Sequence, residues 1–171
     1  VQCGLGRTGK PFCFQHYGVI PDILTSAKAL GGGLPMGACL AFGKAADVFQ
    51  PGDHAATFGG NVAAAALAEV LLSKLPALSD SVDANGRYLT EKLNAIAAAH
   101  PDKVTAVRGM GFMQGLDLSV PPRDVIAKCM EKGLLVCSAG YTVLRFVPPL
   151  IASRDDIDKA ASIVDEALSA L

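Results

Sequence analysis

Residues 104–118 read VTAVRGMGFMQGLDL and decide the fold of the second half of the chain. Two runs with strand character, Val104 to Val107 and Phe112 to Leu118, bracket a turn at Gly109 and Gly111. The pattern predicts two strands that follow each other closely along the chain.

Helix and strand patterns alternate after this pair. Residues 124–132 predict a helix that ends at Gly133, residues 134–137 and 143–147 predict strands, and Pro148-Pro149 terminates the second strand. Ser153 and Asp156 have the capping-box spacing that starts a helix. Apolar residues then recur at helical spacing, at Ile157, Ala160, Val164, Leu168 and Leu171. The segment 104–171 is therefore expected to form a small α/β unit.

Glycine loops punctuate the first part of the chain. Short apolar runs at 20–24 and 38–42 predict buried strands. Asn61 is the predicted N-cap of a largely buried helix that stops at Pro76, and a second helix is predicted after Asp80. A domain boundary is placed near Ser79, which divides the chain into domains 1–78 and 79–171.

Composition argues against several functional classes. The chain has 171 residues, with 15 Lys or Arg against 16 Asp or Glu, and this formal charge of −1 argues against a nucleic-acid binder. The longest apolar stretch, 62–72, is interrupted by Glu69 and is shorter than the roughly 18 residues of a membrane span, so no transmembrane helix is predicted. The five cysteines have no C-x-x-C or zinc-type spacing, which predicts reduced thiols of a cytoplasmic protein and no metal site.

The motif GLGRTGK, residues 4–10, matches both G-x-G-x-x-G and the start of a P-loop. A dinucleotide-binding loop must open a helix, and Pro11 followed by Phe12 begins a helix poorly. A P-loop needs Ser or Thr after its lysine, where this chain has Pro11. A glycine-bent surface loop is therefore expected, and nucleotide binding is kept as an alternative.

Lys28 lies at the end of an apolar run and is followed by Gly31-Gly32-Gly33, so it has room beside it for a ligand. A lysine amine in a dry, partly enclosed site attacks aldehydes, which is how proteins carry pyridoxal phosphate. On position alone, a solvated surface lysine is the competing interpretation.

Several sequence blocks occur in the order that is typical of one enzyme family. The blocks are VQCGLGRTGK (1–10), HYG (16–18), PDI (21–23), AKALGGGLP (27–35), TFGGN (57–61), VRGMG (107–111), KGLLV (132–136) and VLRFVPPL (143–150). In these blocks the chain resembles the class III (ornithine-type) aminotransferases from end to end.

The resemblance implies a fold type I, pyridoxal-phosphate-dependent aminotransferase (transaminase). Domain 1–78 would be the end of the large α/β domain, and domain 79–171 the small C-terminal α/β domain. The resemblance also implies a cytoplasmic homodimer that transfers the amino group of N2-acetylornithine to 2-oxoglutarate in arginine biosynthesis. Ornithine, succinylornithine and 4-aminobutyrate are alternative amino donors.

Four residues acquire roles through the resemblance. Lys28 matches the lysine that binds the cofactor and shuttles the proton, and Gln2 matches the residue beside the cofactor's ring hydroxyl. Thr57 matches the threonine that binds the cofactor phosphate across a dimer interface, and Arg145 matches the arginine that grips the substrate carboxylate. Without the resemblance, Gln2 is a polar loop residue and Thr57 belongs to a turn before a helix. Arg145 is then a charge that keeps an edge strand from pairing.

The resemblance also has departures. Val62 stands where relatives usually have proline, which concerns the start of a helix and not chemistry. Relatives carry three further features upstream of the position of Val1: an aspartate on the pyridine nitrogen, a phosphate loop and an aromatic that stacks on the ring. We therefore expect a C-terminal portion of a subunit, with little or no turnover on its own. The alternative is a non-catalytic fragment that binds the cofactor weakly, or only with a complementary chain.

Overall fold

The computed structural model describes residues 1–171 and divides into two compact units, Val1–Ser79 and Asp80–Leu171. In the first unit, strand β1 (Ile23–Ser26) pairs in antiparallel fashion with strand β2 (Ala38–Ala41). Two strands were expected near these positions, but their predicted burial is wrong because Ile23 and Leu40 are 58% and 41% exposed. The buried apolar side chains that cluster in this unit are Leu5, Leu30, Ala68 and Leu75.

Helix α1 (Val62–Ala99) begins as the sequence indicates and ends much later. Asn61 Oδ1 accepts hydrogen bonds from the backbone N–H groups of Ala63 and Ala64 at 3.0 and 3.1 Å, which confirms the predicted N-cap. The predicted stop at Pro76 is wrong, because the helix runs through it for 38 residues in all. Proline removes one helical N–H, but alanines and leucines on both sides favour the helix strongly enough to continue it. The separate helix predicted after Asp80 is therefore the second half of α1.

The first half of α1 is more exposed than expected. Val62 and Val70 are 83% and 53% exposed, whereas Ala64 and Ala68 are buried. By length and composition alone, α1 is long and apolar enough to cross a membrane, whereas the prediction of no transmembrane helix considered only the shorter stretch 62–72, which Glu69 interrupts. Core helices of soluble proteins meet the same criterion, so this feature is weak evidence for a membrane.

The second unit contains a four-stranded antiparallel sheet in the order β3-β4-β6-β5. The strands are β3 (Val104–Met110), β4 (Met113–Leu118), β5 (Cys137–Ala139) and β6 (Val143–Phe146). Strands β3 and β4 confirm the predicted pair around Gly109 and Gly111. The side chains of Phe112, Leu116 and Leu144 are fully buried in a core to which α1 and the later helices also contribute.

Two helices complete this unit, α2 (Pro122–Glu131) and α3 (Arg154–Ser169), and both confirm predicted helices. Ser153 caps α3: its Oγ accepts the Asp156 N–H at 3.2 Å, and its own N–H donates to Asp156 Oδ2 at 2.9 Å. Ile157, Val164 and Leu168 are buried, as their spacing predicts. Leu171 lies beyond the helix and is 47% exposed.

The strand predicted at 134–137 is largely wrong, because β5 begins only at Cys137. Cys137 pairs with Arg145 of β6, and β6 ends one residue later at Phe146. Pro148 and Pro149 carry no N–H for a ladder, so residues 134–136 have no strand to pair with. The apolar side chains of Leu134 and Val136 pack against the core instead.

Candidate active site

A cavity of about 260 Å³ in the first unit extends to the residue before the predicted cofactor lysine, and Lys28 itself does not line it. Gln2 lines this cavity together with Ser26 and Ala27, the residue immediately before Lys28. The fold therefore brings the N-terminal segment against the end of β1. The lining includes the polar residues Gln2, Thr25 and Ser26 but no acidic residue. These groups match neutral hydroxyl or carbonyl groups of a ligand and do not match a protonated ring nitrogen.

Lys28 opens the 3₁₀ turn Lys28–Gly31 with a φ of +54°, in the left-handed region that side-chain-bearing residues rarely adopt. Such backbone strain is concentrated at functional sites in proteins. Gly32 follows with a φ of +60°, and a Cβ there would lie 3.1 Å from Leu67 Cβ. The side chain of Lys28 was expected to be enclosed, but it is exposed within this chain. Ala29, Gly32 and Gly33 have little or no side chain with which to cover it.

The glycine motif of residues 4–10 folds into consecutive turns. The Gly6 N–H donates to Pro11 O at 3.2 Å, and the Gly9 N–H donates to Gly6 O at 3.0 Å. These backbone donors are satisfied within the loop, so they form no phosphate cradle. The glycine-bent loop is confirmed, although Gly6 and Gly9 are buried and not at the surface. Partial burial also lowers the pKa of the Arg7 guanidinium below its ordinary value.

Thr57 lies in an exposed turn ahead of α1. The Gly59 N–H donates to Ala56 O at 3.1 Å and closes this turn, and Gly60 has a φ of +74°. Thr57 does not line the cavity that contains Gln2. The structure of the chain thus brings Gln2 close to the lysine-bearing segment and leaves Thr57 on the surface.

A larger cavity, of about 660 Å³, lies in the second unit and is lined by Arg145. Its other charged lining residue is Asp156, whose carboxylate accepts hydrogen bonds from Ser153. These bonds lower the pKa of Asp156 below its ordinary value. The remaining lining is mainly aliphatic, with Leu89, Leu134, Leu135, Val136, Val147, Ile151 and Ile157 among its members. An apolar wall of this kind strengthens an arginine–carboxylate pair, because it lowers the local dielectric constant.

Arg145 lies inside the sheet and not at its edge. Strand β6 has β4 on one side and β5 on the other, so the interpretation of Arg145 as a guard of an edge strand is wrong. Leu144 and Phe146 are buried, and because side chains alternate along a strand, Arg145 lies on the opposite face of β6. In the register, Arg145 is opposite Gly115 of β4 and Cys137 of β5.

Sequence reasoning missed both neighbours of Arg145. Cys137 Sγ accepts a hydrogen bond from Arg145 Nε at 3.4 Å, and the same thiol donates to Arg145 O at 3.8 Å. The one signal in the sequence was Gly115, which interrupts an apolar strand. A glycine inside a strand often marks a place where another part of the protein comes close to the backbone. The proximity of Gly115 and Cys137 to Arg145 becomes visible only in the structure, where β6 pairs with β4 on one side and with β5 on the other.

Comparison with known proteins gives consistent matches over the whole chain. The model of the family "Aminotransferase class-III" matches residues 1–168. The acetylornithine aminotransferases of Caldanaerobacter subterraneus and Methanocaldococcus jannaschii are 46% and 45% identical over 99% and 97% of this chain. The chain spans only 43% and 42% of the length of these relatives.

Solved structures give the same match. The ornithine aminotransferase of Plasmodium yoelii superimposes with a TM-score of 0.92 at 32% identity, covering 99% of this chain and 46% of that one. The acetylornithine aminotransferase of Elizabethkingia anophelis does so with a TM-score of 0.92 at 31% identity, covering 100% and 44%.

Proposed function

The chain belongs to the class III aminotransferase family, and on that premise we propose that it provides the cofactor lysine and the carboxylate-binding arginine of a complete transaminase. Its fold is that of the fold type I pyridoxal-phosphate-dependent transferases, namely the end of the large α/β domain and the small C-terminal α/β domain. The observation that carries the proposal is the match of the family over residues 1–168, which includes both Lys28 and Arg145.

The residues of this chain fit two groups of pyridoxal phosphate, its aldehyde and its ring hydroxyl. Lys28 offers an amine for the aldehyde, and Gln2 in the neighbouring cavity offers an amide for the ring hydroxyl. The lining of that cavity has no carboxylate for the ring nitrogen. When bound, pyridoxal phosphate supplies an electron sink for the negative charge that develops at the substrate Cα.

The residues of this chain then have distinct tasks. The Lys28 amine would hold the cofactor through its aldehyde and, once the amino donor displaces it, would be free to shuttle the proton of the substrate Cα. The Gln2 amide donates a hydrogen bond that orients the ring. The Thr57 hydroxyl and backbone N–H bind the cofactor phosphate of a partner subunit, which requires a homodimer.

Arg145 binds the substrate α-carboxylate. Its guanidinium forms two parallel hydrogen bonds with a carboxylate, and the aliphatic wall around it makes this pair stronger than it is in water. Both the amino donor and the keto acid have an α-carboxylate, so one arginine serves both halves of the reaction.

We propose N2-acetylornithine as the amino donor and 2-oxoglutarate as the acceptor, in the arginine biosynthesis of the cytoplasm. The names of the relatives that are 45–46% identical support this donor. Ornithine is the second candidate, because the matching solved structures include an ornithine aminotransferase.

Cofactor trapping tests the proposal on the 171-residue chain. We expect a visible absorption band when pyridoxal phosphate is added, and borohydride should fix the cofactor on Lys28, as a peptide mass map would show. The variant Lys28→Ala should give neither signal, and Lys10→Ala, which alters another lysine of the same unit, should give both. Absence of the band in the unaltered chain, or its survival in Lys28→Ala, would overturn the cofactor assignment.

A fusion enzyme tests the catalytic part. In it, the region of the Caldanaerobacter acetylornithine aminotransferase that precedes its aligned segment is joined to Val1 of this chain. We expect glutamate to form from N2-acetylornithine and 2-oxoglutarate with this fusion enzyme, and little or no turnover with residues 1–171 alone. A substantial rate from the 171-residue chain would contradict the second expectation.

A further inference from the structure

We propose that Cys137 is a positioning residue for the carboxylate-binding guanidinium of Arg145. The inference rests on the proposed function of Arg145 and adds a residue to which nothing in the sequence pattern assigns a role. It is carried by the register of strands β5 and β6 and by two contacts of one sulfur atom.

The first step of the argument is the register. Residues that are directly opposite in an antiparallel pair have side chains on the same face of the sheet. Arg145 is opposite Cys137 on one side and Gly115 on the other. Gly115 has no side chain, so Cys137 is the register partner whose side chain can contact the guanidinium.

The second step is the pair of sulfur contacts. Arg145 Nε donates to Cys137 Sγ at 3.4 Å, and the thiol donates to the carbonyl oxygen of Arg145 at 3.8 Å. The thiol therefore bridges the side chain and the backbone of one residue. This bridge restricts rotation of the arginine side chain and fixes the plane of the guanidinium relative to the sheet.

The third step is the location. Cys137 and Arg145 both line the cavity of about 660 Å³, whose wall is mainly aliphatic. The guanidinium has five N–H donors in a fixed fork, and a carboxylate engages two of them at once. A guanidinium held through Nε loses less rotational freedom when a carboxylate binds, so Cys137 increases substrate affinity without contacting the substrate.

Kinetics of the fusion enzyme test the inference. In the half-reaction with the amino donor, Cys137→Ala should raise the half-saturating donor concentration about threefold to tenfold, which is the worth of one hydrogen bond. The limiting rate should change by less than about twofold, because the proton transfer at Lys28 is unaltered. Cys137→Ser retains a donor and an acceptor and should restore most of the affinity. Ser138→Ala, on the neighbouring exposed residue of β5, is the matched control and should resemble the unaltered enzyme.

The outcomes separate the inference from the proposed function. If Arg145→Gln strongly weakens binding of the amino donor and Cys137→Ala does not, the inference is overturned and the role of Arg145 stands. If Cys137→Ser is as impaired as Cys137→Ala, the sulfur contributes packing and not positioning, which also overturns the inference. If Arg145→Gln has no effect, the proposed role of Arg145 fails, and the inference fails with it.

A second measurement on the 171-residue chain does not depend on catalysis. The chain has six arginines, and the Nε–H resonance of Arg145 can be assigned in a ¹⁵N-arginine spectrum by its loss in Arg145→Lys. We expect Cys137→Ala to shift this resonance and to increase its exchange with water about tenfold, with Cys137→Ser close to the unaltered chain. An unchanged resonance in Cys137→Ala would show that the contact does not hold the guanidinium and would overturn the inference.

Discussion

The units Val1–Ser79 and Asp80–Leu171 differ in how completely they bury their apolar residues. The core cluster of the second unit includes Phe112, Leu116, Leu144 and Val164, all fully buried, from a helix, the sheet and the connection between strands. In the first unit, large apolar side chains such as Ile20, Phe49 and Phe58 are 88%, 64% and 84% exposed. The second unit thus has the core of an independent fold, whereas the first unit leaves much of its apolar surface uncovered by residues 1–79.

Lys28 and Arg145, each considered within its own unit, differ in the same way. Arg145 is held within a sheet that has neighbours on both sides and a core beneath it. Lys28 lies in a short turn next to a two-stranded ribbon, a structure that is marginal without further layers. We therefore expect the segment around Arg145 to be rigid in this chain and the segment around Lys28 to be less stable.

Removal of a large core side chain should give the largest effect. Phe112→Ala deletes a fully buried ring and should lower the free energy of unfolding by about 3–5 kcal/mol. Phe58→Ala, at an exposed position of the first unit, should change it by less than about 0.5 kcal/mol. Urea unfolding followed by circular dichroism checks both values. An equal loss of unfolding free energy in Phe112→Ala and Phe58→Ala would contradict the proposed difference in packing between the two units.

Hydrogen exchange should show the next largest effect. Backbone amides of β4, which pairs on both sides, should exchange about a hundredfold more slowly than those of β1. Residue-resolved exchange by NMR measures both strands in one sample. Similar protection of β1 and β4 would contradict the expectation that the first unit is less stable.

A glycine contact in the second unit should be sensitive to one methyl group. A Cβ at position 86 of α1 would lie 2.5 Å from Gly111 Cα. The clash is with backbone atoms, which cannot move aside as a flexible side chain can. Gly86→Ala should therefore cost about 2 kcal/mol, although alanine favours the helix. Gly37→Ala is the control in the first unit, because a Cβ there would have only Ser26 O nearby, at 3.8 Å. A stable Gly86→Ala variant would show that the close approach of α1 to the turn is not required.

The smallest of these effects should come from the cap of α3. Ser153→Ala removes the side chain that accepts the Asp156 N–H and should cost about 1 kcal/mol in thermal unfolding. Ser162→Ala, at an exposed position inside the same helix, should be neutral or slightly stabilising.

The cap also predicts a pH dependence. Hydrogen bonds from Ser153 lower the pKa of Asp156 in the folded chain, so this carboxylate adds stability above its ordinary pKa. The contribution is lost as the pH falls through the lowered pKa. The difference in stability between Ser153→Ala and the unaltered chain should therefore shrink in acid, and a difference that grows would contradict this sign.

Local patterns were sufficient for much of the fold. The capping box at Ser153, the helix that ends before Gly133 and the strand pair around Gly109 all depend on residues close together in sequence. The start of α1 at Asn61 follows from the same kind of signal. These elements were predicted because each includes its own start, stop or turn residues.

The predictions of β5 and of the surroundings of Arg145 were wrong because strand pairing between distant parts of the chain determines both. Strand β5 begins at Cys137 because β6 ends at Phe146, which the sequence around residue 134 does not reveal. The place of β6 inside the sheet removed the edge-strand interpretation of Arg145 and revealed its contact with Cys137. Pro76 does not stop α1, because the helix-forming residues on both sides of it outweigh the loss of one helical N–H.

A transamination assay of the fusion enzyme tests the central claim most directly, since that claim assigns the cofactor lysine to position 28. We expect steady formation of glutamate from N2-acetylornithine and 2-oxoglutarate with the unaltered sequence, and a rate at least about a thousandfold lower in Lys28→Ala. Lys10→Ala should retain the unaltered rate. Glutamate formation that persists undiminished in Lys28→Ala would contradict the account.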